Sequence, residues 1–223
     1  MIAMILAAGR GERMRPLTDR KPKALLEIGG VSLIERQLYR LQDAGVNVAV
    51  INLGWLGEMI VERIGDGARF GLQVVYSPEY ARVLETGGGI QRALPLLGDD
   101  PFWVLNADVF TDMKLPPPNL PADCLAHLFL VPTPPYKAAG DFDLRDGRVR
   151  RSAEPRYTFS GIGLYRPALF DGCKAGRFPL APLLMSAADR GELSGEIYSG
   201  VWEDVGTRER LRRLNDPVAG ADA

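Results

Sequence analysis

The stretch that decides the fold is Leu6-Ala-Ala-Gly9-Arg-Gly11-Glu-Arg13-Met-Arg15-Pro-Leu-Thr18, which is followed by Lys21-Pro-Lys23. The apolar run that ends at Leu6 predicts a short strand. The two glycines after it allow the backbone to turn sharply and to bring its N–H groups close to an anion. Two arginines and two lysines then place cations beside the turn. We therefore predict a triphosphate-binding loop directly after the first strand.

Two better-known phosphate-binding motifs do not fit these residues. A Walker A loop ends in Gly-Lys-Ser or Gly-Lys-Thr, but Gly11 is followed by Glu12, so the phosphate-binding lysine and the magnesium-binding hydroxyl are missing. A dinucleotide-binding fingerprint needs a third glycine three residues after the second, where this chain has Met14. The remaining alternative is a solvated basic loop that binds no ligand.

The composition is that of an ordinary globular chain. Its 223 residues are 46% hydrophobic and 25% charged, which favours one domain spanning residues 1–223. The net charge of −1 provides no field that would attract nucleic acid, so we expect small-molecule partners. Cys124 and Cys173 have neither metal-ligand nor disulfide-framework spacing, which fits a reducing compartment.

The first residues lack the pattern of a secretory signal peptide. In addition, no apolar segment approaches the roughly 20 residues that are needed to span a bilayer. We therefore expect a cytoplasmic protein with no membrane partner. The sequence leaves the oligomeric state open between a monomer and a small homo-oligomer.

Strand-like and helix-like segments alternate in the first half of the chain. Ser32 is placed to cap a helix that ends at Gly45, and the β-branched run from Val46 to Ile51 follows it, which makes a βαβ unit. The alternation predicts a Rossmann-like, three-layer α/β fold with a mostly parallel sheet, whose ligand lies at the carboxyl ends of the strands. The further predicted elements of this half are helices at Leu56 to Ile64 and near Gly88 to Leu94, and strands at Leu72 to Tyr76 and Phe102 to Leu105.

The character of the chain changes after Asp112. Proline-rich loops surround an apolar run, and Arg145-Asp-Gly147 is typical of a hairpin turn. A strand is predicted at Tyr157 to Tyr165, and helices are predicted at Leu180 to Asp189 and Thr207 to Leu214. We expect a smaller mixed lobe here. Residues 1–112 would then form a nucleotide-binding half, and residues 113–216 would form a half that binds the second substrate.

Several motifs in register point to one family. The chain resembles the sugar-1-phosphate nucleotidyltransferases, which make nucleotide sugars, and the resemblance implies their nucleotide-diphospho-sugar transferase fold. It covers nearly the whole chain. The motifs that carry it are Gly9-x-Gly11-x-Arg13-Met with Pro22-Lys23, Tyr76-Ser-Pro-Glu79, Leu84-Glu-Thr-Gly-Gly-Gly89, Asn106-Ala-Asp108-Val, Phe159-Ser-Gly-Ile162 and Trp202-Glu-Asp204-Val-Gly-Thr207.

The resemblance implies a nucleotide site for UTP. The backbone at Gly11, Glu12 and Arg13 would hold the triphosphate, with the Arg13 side chain toward the leaving pyrophosphate. Lys23 would neutralise charge near the α-phosphate, although a lysine two residues from Lys21 could instead be a surface charge. Gly9 belongs to the same nucleotide-binding turn. Ala8 and Gly87 would contact the base, and Gly87 would do so from a flexible loop at Leu84 to Gly89. The alternative for this stretch is a plain helix entry with Thr86 as its N-cap, and the two interpretations are compatible.

Asp108 and Asp204 are the expected metal ligands. Each follows or lies within a motif of the family, and Mg2+ takes one or two carboxylates while phosphate oxygens complete its octahedron. The alternative for Asp108 is an Asx turn or a helix cap after a strand. Transfer of a nucleotidyl group demands no covalent enzyme nucleophile, so Arg13 and Lys23 would act by charge stabilisation.

For the sugar phosphate, the resemblance points to Asn106, Gly140, Asp141, Glu154 and Gly161. Here the chain departs from the family. Many relatives carry Glu-Lys-Pro, whereas this chain has Glu154 directly before a proline, so the phosphate needs another cation.

The candidates for that cation are Arg156, Arg150 and Arg151, and each of them could also be a solvated hairpin charge. The departure favours N-acetylmuramate α-1-phosphate, with its extra lactyl carboxylate, as the acceptor of a uridylyl group in cell-wall recycling. The alternatives are guanylyl transfer to mannose 1-phosphate, thymidylyl or uridylyl transfer to glucose 1-phosphate, and a non-catalytic nucleotide-sugar sensor.

Overall fold

The structure is a computed structural model that describes residues 1–79 and 83–216. Five α-helices occur in these ranges: α1 (Leu33–Asp43), α2 (Gly57–Ile64), α3 (Glu85–Leu97), α4 (Ala181–Asp189) and α5 (Arg208–Asn215). The strands are β1 (Ile2–Leu6), β2 (Glu27–Ile28), β3 (Val31–Ser32), β4 (Val48–Leu53), β5 (Gln73–Pro78), β6 (Phe102–Asn106), β7 (Val109–Thr111), β8 (Ala126–Pro132), β9 (Asp143–Arg145), β10 (Arg148–Arg150), β11 (Tyr157–Tyr165), β12 (Leu193–Ile197) and β13 (Trp202–Asp204).

One nine-stranded sheet passes through both halves of the chain, in the order β5-β4-β1-β6-β11-β8-β12-β10-β9. The first four strands are parallel, with β4 and β6 on either side of β1. Beyond them β11 runs antiparallel to both β6 and β8, while β12 is parallel to β8. The predicted α/β fold with a large, mostly parallel sheet and a mixed second half is confirmed.

Helix α1 shows why the first βαβ unit forms where the sequence predicts it. The Ser32 side chain accepts a hydrogen bond from the Glu35 N–H, and the Glu35 side chain accepts one from the Ser32 N–H, so the two make a capping box. The three apolar residues of the predicted face, Ile34, Leu38 and Leu41, are fully buried against the sheet. Burying each of them contributes about 1.5–3 kcal/mol relative to exposure.

The start of α3 differs from the prediction. We expected a flexible loop from Leu84 to Gly89, but the helix already begins at Glu85 and includes all three glycines. Thr86 is not its cap, because the Thr86 hydroxyl accepts a hydrogen bond from Leu180 N–H at 2.9 Å. The glycines are needed for packing, since a Cβ on Gly88 would lie 2.1 Å from the carbonyl oxygen of Gly176. Close helix packing therefore replaces the expected loop.

The predicted loop sites lie at one edge of the sheet. The Gly9 turn follows the carboxyl end of β1, and Asp108 follows the carboxyl end of the neighbouring parallel strand β6. The fold therefore brings the two motifs together, as expected for a parallel sheet. In the described ranges, no helix is both long and apolar enough to cross a membrane.

Candidate active site

A cleft at this edge of the sheet consists of two adjoining cavities of about 330 and 230 Å³. Leu6, Thr86, Asn106 and Asp108 line both, so the two cavities meet at the end of β6. The smaller cavity contacts the glycine turn, and the larger one extends toward β11 and α4. We call them the nucleotide cavity and the acceptor cavity, after the ligands that the sequence predicts there. Two ligands can therefore meet end to end at Asp108.

The glycine turn is built around Gly11. Its φ of +66° is a left-handed conformation that a residue with a Cβ rarely adopts. A Cβ there would also lie 3.1 Å from the Lys23 side chain. The carbonyl of Gly11 accepts hydrogen bonds from the Met14 N–H and from the Thr18 hydroxyl, both at 2.9 Å. These contacts fix the turn beside Lys23.

Lys23 faces the cleft, in contrast to its neighbour Lys21. The Lys23 ammonium donates a hydrogen bond to the Asp108 carboxylate, and its side chain is only 14% exposed. Lys21 instead pairs with Glu27 at the surface. The interpretation of Lys23 as a solvated surface charge is therefore wrong.

The two predicted metal ligands lie on adjacent segments. Strands β7 and β13 pair antiparallel with Asp204 opposite Val109, and Val205 N–H donates to the carbonyl of Asp108 at 2.9 Å. Both Asp108 and Asp204 line the acceptor cavity. The Asp204 carboxylate also accepts a hydrogen bond from Arg210, a residue that is 8% exposed.

These two carboxylates fit a magnesium ion. Within residues 1–79 and 83–216 there is no group of three or more histidine, cysteine or acidic side chains that could form a closed protein cage. Mg2+ dehydrates reluctantly and commonly binds one or two carboxylates together with substrate phosphates. A pair of carboxylates in a cleft open to ligand therefore suits this ion better than a metal that needs four protein ligands.

The Arg13 side chain reaches the same place from the glycine turn. Its Nη2 lies 3.0 Å from the position that a Cβ on Gly206 would take, and Asp204 Oδ1 lies 3.2 Å from that position. Because Gly206 has no side chain, the side chains of Arg13, Arg210 and Asp204 can approach one another there. Glu12 is exposed, and neither Glu12 nor Arg13 lines the nucleotide cavity.

Most of the predicted nucleotide residues line the nucleotide cavity, namely Ala8, Gly9, Gly11 and Lys23. Gly87 does not. It is buried in α3, and a Cβ on it would lie 2.5 Å from the Phe178 ring, so the structure gives Gly87 a packing role. Its neighbours Thr86 and Glu85 line the cavity instead.

Sequence reasoning missed two buried polar residues of the nucleotide cavity, Asn52 and Glu79. Asn52 accepts a hydrogen bond from Ala7 N–H at 2.7 Å and donates one to Glu79 at 2.8 Å. Glu79 also accepts a hydrogen bond from Leu84 N–H at 2.7 Å. A polar residue inside the apolar run of β4 was the available signal, because buried polar groups need partners.

Three predicted acceptor residues line the acceptor cavity: Asn106, Asp141 and Gly161. Gly161 has a φ of +81°, and a Cβ on it would lie 2.5 Å from Asn106 Nδ2, so only glycine leaves this amide in place. Asp141 is fixed by a hydrogen bond from Phe159 N–H at 2.9 Å. Gly140 supports it from behind, because a Cβ on Gly140 would lie 2.6 Å from two carbonyl oxygens.

Glu154 and Arg156 lie outside the acceptor cavity. Glu154 is exposed, and Arg156 pairs with Asp143 at 2.7 Å with its side chain 67% exposed. Arg156 lines a separate surface hollow together with Arg150 and Arg151. The ion pair with Asp143 thus holds the Arg156 guanidinium away from the cleft. Among residues 1–79 and 83–216, the lysine or arginine that lines the acceptor cavity is Lys137, which the sequence did not indicate.

One wall of the acceptor cavity is apolar. Tyr165 lies at its base with its hydroxyl buried and without a hydrogen-bond partner, and burial raises the pKa of that hydroxyl. The apolar side chains around Tyr165 are Val104, Phe142, Leu180, Leu184 and Met185.

Comparison with known proteins agrees with this geometry. A sequence model of the nucleotidyl transferase family matches residues 2–120. The chain is 49% identical, over 99% of both chains, to an N-acetylmuramate alpha-1-phosphate uridylyltransferase from Neisseria meningitidis serogroup B. It is 34% identical to an enzyme of the same name from Caulobacter vibrioides, covering 92% of this chain and 91% of that one.

A solved structure shows the same fold. It is of a Bacillus anthracis protein described as a glucose-1-phosphate thymidylyltransferase in complex with a sucrose, and it superposes with a TM-score of 0.85. The alignment covers 100% of this chain and 97% of that chain at 22% identity. The family model and the similar sequences together show that this chain belongs to the nucleotidyl transferase family.

Proposed function

We propose that the protein joins UTP and N-acetylmuramate α-1-phosphate to give UDP-N-acetylmuramate and pyrophosphate, in a magnesium-dependent reaction of cell-wall recycling in the cytoplasm. In this proposal residues 1–112 bind the nucleotide and residues 113–216 bind the sugar phosphate. The observation that carries it is the meeting of the two cavities at Asp108, beside Lys23 and Asp204.

The reaction brings two anions together. An oxygen of the sugar phosphate attacks the α-phosphorus of UTP, the bond to the β-phosphate oxygen breaks, and pyrophosphate leaves with that electron pair. The protein contributes by orienting the two substrates in line and by stabilising charge. Asp108 and Asp204 would hold Mg2+, which supplies charge neutralisation between the phosphates when bound.

Each cation has a place in this scheme. Lys23 moves from Asp108 to the α-phosphate, a short step because the two side chains are already in contact. Arg13 lies beside Gly206 and Asp204, and its guanidinium would face the leaving pyrophosphate. Arg210 is held by Asp204 and stacks at 4.2 Å on the Tyr136 ring, so it orients the carboxylate.

The choice of acceptor rests on the 49% and 34% identical relatives and on the shape of the acceptor cavity. An N-acetylated sugar carries an apolar methyl group and an amide oxygen. The apolar wall of the acceptor cavity suits the methyl group.

A substrate panel tests the proposal. UTP, dTTP and GTP are combined with the 1-phosphates of N-acetylmuramate, N-acetylglucosamine, glucose and mannose, and pyrophosphate release is measured with Mg2+ and with EDTA. We expect the highest kcat/KM for UTP with the muramate acceptor and no release in EDTA. A higher kcat/KM with glucose or mannose 1-phosphate would overturn the proposed acceptor, and full activity in EDTA would overturn the metal requirement.

A further inference from the structure

The acceptor in the proposed reaction carries two anionic groups, and each needs a cation nearby. Besides its phosphate on C1, N-acetylmuramate 1-phosphate has a lactyl carboxylate that is carried by the C3 oxygen. Three carboxylates line the acceptor cavity, those of Asp108, Asp141 and Asp204, and they would repel both groups. Lys137 lines the same cavity and is its one lysine or arginine in the part of the chain that the structure describes.

Other cations lie beside the two predicted metal ligands. Lys23 contacts Asp108, Arg210 contacts Asp204, and the Arg13 guanidinium lies close to Asp204. Lys137 is at a different place, because its ammonium pairs with Asp141 at 2.6 Å. Among the described ion pairs, Lys137 has none with Asp108 or Asp204.

The surroundings of Lys137 leave its side chain free to change partner. Asp141 does not depend on the lysine for its position, because its carboxylate accepts from Phe159 N–H at 2.9 Å and its own N–H donates to the carbonyl of Tyr157 at 2.7 Å. The Lys137 side chain is 35% exposed, and its backbone N–H is anchored on the carbonyl of Pro134 at 3.0 Å. The ammonium can therefore turn into the cavity while the backbone stays in place.

We propose that Lys137 binds the lactyl carboxylate and is the residue that selects an acidic acceptor sugar. The proposal rests on the proposed function. A neutral sugar leaves the Lys137–Asp141 pair intact, whereas a lactyl carboxylate arriving beside Asp141 is a second like charge. Lys137 between the two carboxylates turns this repulsion into a charge-assisted contact with both.

The test compares two acceptors that differ only in the lactyl group, N-acetylmuramate 1-phosphate and N-acetylglucosamine 1-phosphate. The measured quantity is the ratio of their kcat/KM values. We expect Lys137→Met to lower this ratio about 10- to 100-fold, the size of a lost hydrogen bond between charged groups. Lys137→Arg keeps the cation and should restore most of the ratio. The matched control is Lys114→Met, an exposed lysine outside the cleft, which should leave the ratio as in the wild type.

The outcomes separate this inference from the proposed function. A wild-type enzyme that prefers the muramate acceptor, with a ratio unmoved by Lys137→Met, overturns the inference alone. Equal losses with both acceptors also overturn it, because they would place Lys137 on the phosphate that both share. A wild type with no preference for the muramate acceptor overturns the proposed function itself. Thermal melting of each variant shows whether it is folded.

Discussion

At the nucleotide end of the cleft, charged and polar side chains are held in buried networks, whereas at the acceptor end they pair with one another near the surface. Glu79 is 3% exposed and is bound to Asn52 and to a backbone N–H. At the acceptor end, Lys137 and Asp141 form an ion pair whose side chains are 35% and 32% exposed. The charged side chains at the two ends thus have very different surroundings.

This difference indicates how easily the side chains at each end of the cleft can change their partners. A buried network loses a partner only at a cost of about 1–3 kcal/mol per unsatisfied group, so the nucleotide end is rigid. An exposed pair contributes about 0–1 kcal/mol, so the acceptor end can exchange partners when a ligand arrives. In the proposed reaction the triphosphate, which is the common part, would bind at the rigid end, and the sugar, which is the variable part, would bind at the exchangeable end.

The largest effect is expected at the junction of the two ends, from Lys23→Ala. We expect kcat to fall about 10²- to 10³-fold, since a preorganised cation on developing charge contributes that much, with a much smaller change in UTP affinity. Pyrophosphate release gives kcat, and calorimetric titration of UTP gives Kd. The control is Lys21→Ala, since Lys21 pairs with Glu27 at the surface. Losses of equal size in kcat and in UTP affinity would show that Lys23 only binds UTP and does not specifically stabilise the transition state.

The next effect concerns the buried charge of Glu35, on α1 in the nucleotide half. Burial alone would raise the pKa of Glu35, but hydrogen bonds from Ser32 and Arg63 outweigh it and lower the pKa from its ordinary value of 4.5 to about 2. Arg69 donates a further hydrogen bond at 2.6 Å. Because the folded state binds the proton more weakly, the charge stabilises the fold above pH 4.5 and this stabilisation is lost as the pH falls toward 2.

Glu35→Gln should therefore lower the free energy of unfolding at pH 7 by up to about 3 kcal/mol. The difference from the wild type should shrink as the pH falls through this range, as measured by urea denaturation. Glu62→Gln is the control, because Glu62 is an exposed carboxylate on α2. A difference that stays constant down to pH 3 would show that the charge of Glu35 is not the stabilising feature.

A third prediction separates backbone strain from collision at the acceptor end. Gly161 and Gly147 have φ of +81° and +72°, but a Cβ on Gly161 would strike Asn106, while one on Gly147 would have nothing within 4 Å. Both alanine variants should lose about 1–2 kcal/mol of stability from the left-handed backbone. Only Gly161→Ala should also lower kcat/KM for the acceptor, by about 10-fold, since it displaces a group that lines both cavities. Equal kcat/KM values in the two variants would show that the position of Asn106 does not matter for the acceptor.

The smallest effect is expected from Arg156→Ala. The exposed pair with Asp143 lies outside the cleft, so kcat/KM for the acceptor should change less than about two-fold. Steady-state kinetics with saturating UTP measures it. A ten-fold rise in the acceptor KM would place Arg156 on the sugar phosphate after all, and would erase the contrast between the two ends of the cleft.

The parts that the sequence predicted well are those that the backbone dictates. Periodicity and capping located α1, and the glycine turn with its cations followed from the need for left-handed backbone at Gly11. Patterns in the chain also predicted the hairpin at Asp146 and Gly147, both of which have positive φ. Alternating strands and helices then implied that the sites of β1 and β6 share one edge.

The parts that the sequence did not predict depend on pairing between distant side chains. Arg156 and Lys137 are both basic residues in loops, and nothing local indicates that one pairs with Asp143 and the other lines the cavity. The glycines between Leu84 and Gly89 predicted a loop, because nothing in the local sequence indicates their tight packing. They pack against Phe178 and Gly176, which lie about ninety positions away. Tertiary contacts overrode local propensity there.

The central claim is that Asp108 and Asp204 hold one divalent ion between the two phosphates. Its most direct test is anomalous diffraction from crystals soaked with Mn2+, N-acetylmuramate 1-phosphate and a UTP analogue with a methylene group between the α- and β-phosphorus atoms. We predict one anomalous peak at about 2.0–2.2 Å from a carboxylate oxygen of each aspartate, in contact with phosphate oxygens. A peak bound to neither aspartate, or to one of them with the other still paired to its lysine or arginine, would contradict the account.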